Sequence, residues 1–230
     1  MIDVNELLKA VFEDNVDALK TLIDDNPIAE LRHIKVNNLT IAHLAILNNR
    51  PLVLDHLLET CFSPETEDKD GDTLLIHAVG AENPTANDCV DVLLNHCANV
   101  NHHNRTATTP IMVAAYMCNL YSINRLIEHG AEVNEHNTLG ESPISYAVNN
   151  FYRRNGRATM PQQDIIVTLL KAGASIVDLY QSHCALAVIE PDGSPALIPL
   201  RQYSPSMLYW ENLCLVLVNP NNTHLLNQLL

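Results

Sequence analysis

The chain is expected to fold as an all-α solenoid of about five helix-turn-helix units, closed by an atypical C-terminal cap. Three observations lead there. A helix-start signal recurs four times: Thr40 opens "TIAHLAI", Thr73 "TLLIHAV", Thr109 "TPIMVAA" and Ser142 "SPISYAV", at spacings of 33, 36 and 33 residues. A second apolar run follows each start, in "VLDHLLETC" ending at Cys61, "CVDVLLNHCANVN" at Asn101, "SINRLIEHGAEVN" at Asn134 and "IIVTLLKAGASIV" at Val177. Finally, a pair of helices this short cannot bury its apolar face alone, so the period itself implies that neighbouring units stack.

The clearest unit lies within residues 108–134, "TTPIMVAAYMCNLYSINRLIEHGAEVN". Thr109 is predicted to cap a helix by accepting from an unpaired backbone N–H, with Pro110 at the first helical position, where its missing N–H costs nothing. Ile111, Ala114 and Ala115 keep helical spacing, as do Ile123, Leu126 and Ile127, and Asn119 to Ser122 is the predicted break. Gly130 is placed to close the second helix with positive φ, and Ala131, Val133 and Asn134 lead out in an extended turn. Upstream, "ELLKAVFEDNVDALKTLIDDN" repeats the pattern, with Leu7, Leu8, Val11, Leu19, Leu22 and Ile23 apolar and carboxylates on the outer face. It is read as an N-terminal capping unit, because the end of an array needs one solvated side.

The expected boundaries are 1–37 for that cap, then 38–69, 70–105, 106–138 and 139–178, with 179–230 as a capping extension. In the fifth unit, Ser142 stands 31 residues before Gly173, against 21 from Thr109 to Gly130. The surplus falls between the two helices, in "NNFYRRNGRATMPQQ", a surface-loop insertion that carries Phe151, Tyr152, Arg153, Arg154 and Arg157. Loops combining Arg with aromatic residues are suited to binding, though a tolerated insertion has the same appearance. Beyond the array, "ALAVIEPDGSPALIPL" places two apolar stretches around Pro191, Asp192, Gly193 and Ser194, a composition that predicts a β-hairpin.

The four starts and four exits resemble those of the ankyrin repeat family, whose unit runs a turn, a Thr-Pro-Leu-His start, two antiparallel helices and a Gly-Ala-Asp-Val-Asn exit. Departures are evident: Pro survives in two units, the start-motif His only at His43, and the exit Gly is replaced by Cys61 and Cys97. The resemblance implies a non-catalytic module that binds a partner protein through a concave face made of turn tips and first helices. Matched by position, the tips are Lys69, Asp70, Asp72, Arg105, Thr108, Thr138 and Glu141, and the variable helix positions are His77, Tyr116, Met117, Tyr146 and Asn150. Tyr, Met and Arg favour interface centres, which singles out Tyr116, Tyr146, Phe151, Tyr152 and Arg153. Asn101 and Asn134 end exits that the family can present for hydroxylation in animal cells; their simpler role is to bond the turn backbone. Degenerate repeats rich in Asn, Ile and Leu are also similar to the ankyrin proteins that intracellular bacteria deliver into host cells. That similarity implies an effector acting on a host protein in the host cytosol, with an endogenous regulatory or inhibitory subunit as the alternative.

Composition narrows the partner. The net charge is −14, and residues 1–100 carry 18 acidic and 6 basic side chains, a net of −12. A duplex binder needs a basic face to displace counterions, so nucleic acid is not an expected partner. Apolar runs fall short of a bilayer span, and the acidic start lacks the basic flank of a secretory signal, so no membrane insertion and a cytoplasmic location are expected. Six Cys without short paired spacing are read as reduced thiols. The chain is expected to be monomeric alone.

Chemistry-bearing clusters are few. The run "LLNHCANVNHHN" gathers His96, Cys97, His102 and His103, yet it lacks paired-Cys spacing and an i, i+4 His pair. His96 and His103 each precede another His, His129 and His136, by 33 residues, so repetition accounts for them and no metal site is expected. No phosphate-cradling Gly loop is present and no cofactor is expected. His183 beside Cys184 is the best nucleophile pair, without surrounding signature residues, and would belong to a less favoured enzyme reading based on the C-terminal extension.

Overall fold

The computed structural model describes residues 3–81, 87–147, 160–175, 185–189 and 195–199. Helices follow in pairs: α1 (Val4–Phe12) and α2 (Val16–Asp24), then α4 (Ile41–Leu47) and α5 (Pro51–Thr60), α6 (Leu74–Gly80) and α7 (Asn87–Asn95), α8 (Pro110–Tyr116) and α9 (Leu120–Glu128), and α10 (143–147) and α11 (Met160–Lys171). One further short helix, α3 (Ile28–His33), lies in the connection after the first pair. Packing is nearest-neighbour and layered. In the first-helix layer α1 meets α4, α4 meets α6 and α6 meets α8; in the second, α2 meets α5, α5 meets α7, α7 meets α9 and α9 meets α11. This is the all-α solenoid.

Stacking produces one continuous apolar core that runs from Leu7 to Ala174. Leu54, Leu57, Leu74, Leu75, Leu93 and Ile111 are fully buried in it, each contributing about 1.5–3 kcal/mol over an exposed position. The N-terminal unit buries Leu7, Val11, Leu19 and Ile23 and leaves Leu8 and Leu22 half-buried.

The repeat is written into the backbone at three points where φ turns positive. Asn38, Gly71, Ala107 and Gly140 each stand two residues before a first-helix cap. Asp14, Asn49 and Cys118 reverse the chain between the helices of a pair, one residue before the cap of the second. Cys97, Gly130 and Gly173 close second helices. There the following residue's N–H returns to a carbonyl five residues back: Ala98 to Leu93, Ala131 to Leu126, Ala174 to Leu169. That is the Schellman closure.

Several local expectations are corrected. Thr109 occupies the cap position with extended backbone, but its side chain caps nothing, and its buried Oγ1 has no partner. The cap bond forms at Thr73 instead, whose Oγ1 accepts from the Ile76 N–H at 3.5 Å. The break between α8 and α9 is residues 117–119 only, because Asn119 Oδ1 accepts from the Ser122 N–H and starts the helix early. Cys97 takes the left-handed conformation of the Gly it replaces, whereas Cys61, at φ −121, does not. The connection between the first two pairs is also more structured than the pattern suggested. After α3, strands β1 (Lys35–Val36) and β2 (Leu39–Thr40) pair around Asn37 and Asn38, both with positive φ, the backbone of a tight primed turn.

Past the array, β3 (Ala185–Ile189) and β4 (Pro195–Pro199) pair antiparallel from Ala185 opposite Pro199 to Ile189 opposite Pro195. This is the strand pairing of the expected hairpin, whose predicted turn residues 190–194 lie outside the described residues.

Candidate protein-interaction face

The first helices have two positions that the second-helix layer does not cover. Four residues after the cap stand Leu44, His77, Val113 and Tyr146, all half-buried. Seven residues after it stand Leu47, 53% exposed, then Gly80 and Tyr116, both half-buried. The positions between them, such as Ala45, Ile46, Ala78, Val79, Ala114 and Ala115, point into the core. Helical spacing thus leaves one outward stripe per unit, and stacking aligns the stripes.

Across the last two first helices this alignment brings two predicted residues together. The Tyr116 and Tyr146 rings meet edge to face, with centroids 6.2 Å apart. The Tyr146 hydroxyl accepts from Asn137 Nδ2 at 2.9 Å and lies 3.4 Å from Thr108 Oγ1, so its orientation is set by the turn above it. Met117 follows as the half-buried C-cap of α8. Leu139, on the adjacent tip, is 80% exposed.

The tips share one device. Five residues before the first-helix cap, Asp68, Asn104 and Asn137 each accept through Oδ1 from backbone N–H groups two and four residues on. Their second polar atom then engages a neighbour. Asp68 Oδ2 faces His77 Nε2 at 3.0 Å, the counterpart of Asn137 reaching Tyr146. Asn104 Nδ2 donates to Asp72 Oδ1 at 2.6 Å and ties one tip to the next. Burial alone would raise the Asp68 pKa, but the Asp70 and Asp72 N–H groups and His77 outweigh it and hold it below the ordinary carboxylate value. His77 is therefore drawn back onto its own turn. Lys69, Asp70, Arg105 and Thr138 are exposed, whereas Thr108 is buried and is not a tip contact. Arg105 lies against Gly71 and its N–H donates to the Asp70 carbonyl.

The His-rich run disperses. His96 Nε2 meets Asp55 at 2.7 Å, His102 Nε2 meets the Gly71 carbonyl at 2.9 Å, and His103 Nε2 meets Glu135 at 3.3 Å. These bonds join neighbouring units and do not converge. The thiols of Cys61 and Cys89 are buried, Cys97 is exposed and Cys118 half-buried, and none of these four is in a disulfide. Burial pushes the Cys89 thiol up to about 12, which makes it a poor nucleophile.

Among the predicted contacts, Tyr116, Met117 and Tyr146 come together, while His77 stands on α6 and Arg105 on the following tip. Asn150, Phe151, Tyr152, Arg153 and Arg154 lie outside the described residues, as do His183 and Cys184. Sequence reading missed Leu44, Leu47 and Val113 as members of the outward stripe. Alignment of the four starts would have found them, since each shares a register position with a residue that was singled out. Among the described residues, no helix is long and apolar enough to cross a membrane.

A family model described as ankyrin repeats (3 copies) matches residues 43–137 and 80–179. None of the curated proteins compared with the chain matches it. The matched stretches span more than half of the sequence and overlap the stacked helix pairs; the chain belongs to the ankyrin repeat family, whose arrays are in general protein-interaction modules.

Proposed function

We propose that this chain is a non-catalytic adaptor that binds one partner protein on a concave face formed by its first helices and turn tips, centred on Tyr116, Met117 and Tyr146. The observation that carries this reading is the aromatic pair. Two tyrosines in edge contact, half exposed and braced from behind by Asn137, offer a large rigid surface with little side-chain entropy left to lose. Arg105 and His77 would flank the contact, and Phe151, Tyr152, Arg153 and Arg154, in the same sequence unit as Tyr146, are proposed to contribute to it. Delivered as an effector, the chain would meet a host protein here; as an endogenous subunit it would hold a protein of its own cell.

Cross-linking pull-downs from host and own-cell lysates test the reading and separate these settings. The intact chain is compared with a Tyr116→Ala, Met117→Ala variant that melts normally. A partner captured by the intact chain and lost from the variant supports the face. Equal capture by both moves the contact elsewhere.

A further inference from the structure

One turn carries side chains that its counterparts lack. At the positions five before, one before and four after the first-helix cap, successive units read Lys35, Leu39, Leu44; Asp68, Asp72, His77; Asn104, Thr108, Val113; and Asn137, Glu141, Tyr146. Only the second set consists wholly of carboxylate and imidazole side chains. The amides of Asn104 and Asn137 build the same turn without charge, so the Asp68 carboxylate is more than the turn requires. Its side chain is only 7% exposed.

One donor atom each from Asp68, Asp72 and His77 lies within 4.8 Å of the others, and Asp68 Oδ2 is 3.0 Å from His77 Nε2. Ligands about 2.0 Å from a tetrahedral zinc ion stand roughly 3.3 Å apart, and the 3.0 Å between Asp68 Oδ2 and His77 Nε2 is close to that spacing. Asn104 already orients Asp72, as outer hydrogen bonds orient metal-bound carboxylates. A separate observation concerns His43. It is fully buried, its Nδ1 engages Thr40 Oγ1 at 2.8 Å, and its Nε2 has no partner, while its ring packs edge-on with His77 at 4.7 Å. A buried ring nitrogen left without a partner, on a ring packed against His77 and near the Asp68 carboxylate, is a polar vacancy that the protein itself does not fill.

We propose that Asp68, Asp72 and His77 hold a divalent transition metal of the zinc class on the first-helix face, backed by His43. Mixed imidazole and carboxylate donors favour zinc, cobalt or manganese over calcium and magnesium, which take oxygen ligands. Three protein ligands leave a coordination position open toward solvent, where His77 is 20% exposed.

The test uses the full chain after chelator treatment, titrated with Zn²⁺ by calorimetry and with Co²⁺ by visible absorption. One equivalent should bind, with the absorption of low-symmetry cobalt. His77→Val and Asp72→Thr, which install the residues of the neighbouring unit, should each weaken binding by about 10-fold or more. Asp72→Asn, nearly isosteric, should do the same while keeping the wild-type melt. Absence of saturable binding overturns the proposal. So does unchanged affinity in all three variants, which would place the metal on surface pairs such as His96 with Asp55.

Discussion

At the scale of single residues, the repeat places non-glycine side chains in left-handed backbone. Cys97 has φ 58 and Ala107 φ 57, at positions where Gly130 and Gly71 stand in other units. An L-residue there costs about 1–2 kcal/mol, part of which glycine returns as extra unfolded-state entropy. Cys97→Gly and Ala107→Gly are therefore each expected to stabilise by about 0.5–1 kcal/mol, read as a higher urea midpoint at unchanged slope. Gly71→Ala should act oppositely, because the new methyl also meets the Arg105 backbone N and Cγ at 3.2 Å.

His43 makes a second residue-scale prediction. Burial, and after it the neighbouring His77, lowers its pKa from 6.5 to about 4. Between those values the unfolded chain binds a proton that the folded chain refuses. The contribution is thus complete above pH 6.5 and is lost as pH falls toward 4, on the order of 3 kcal/mol in total. His43→Gln should flatten the fall in urea midpoint across that window; an unaltered pH profile would show that His43 does not set it.

Between elements, the units are stitched by one recurring bond. Glu65, Asn101 and Asn134 hold equivalent positions, and their side-chain oxygens accept from the backbone N–H of Asn99, Glu132 and Ser175 in the following exit, at 2.7, 2.8 and 2.7 Å. Asn101 and Asn134 also donate to the Gly130 and Gly173 carbonyls. Asn101→Ala removes two such bonds and should cost about 1–2 kcal/mol, measurable by chemical unfolding. The Asn at each exit was legible as a backbone-bonding residue. That its target is the next unit's exit was not, because the bonded residues stand 29 to 41 apart. The Thr109 cap shows the reverse. Local chemistry predicted a bond there, and stacking left that hydroxyl buried without one.

Across the whole molecule, the main packing among the described helices is between neighbouring pairs, so stability is close to a sum of unit and interface contributions. Leu93→Ala, at a fully buried central position, should cost about 2–5 kcal/mol. In hydrogen exchange it should lower protection of α6 and α7 more than that of α1 and α2; uniform loss would indicate a single cooperative unit.

The sequence by itself determined the solenoid, the helix pairs and the turn residues. Each depends on spacing within one unit, and the period repeats that information along the chain. It also placed Tyr116, Met117 and Tyr146 on outward positions through the repeat register. Only the tertiary structure decided that the Tyr116 and Tyr146 rings meet, that His77 folds back onto Asp68, and that the His-rich run separates onto different carboxylates and carbonyls. Those outcomes depend on rotamers and hydrogen bonds chosen between stacked units, where the partner of each side chain is supplied by a neighbour and not by its own local segment.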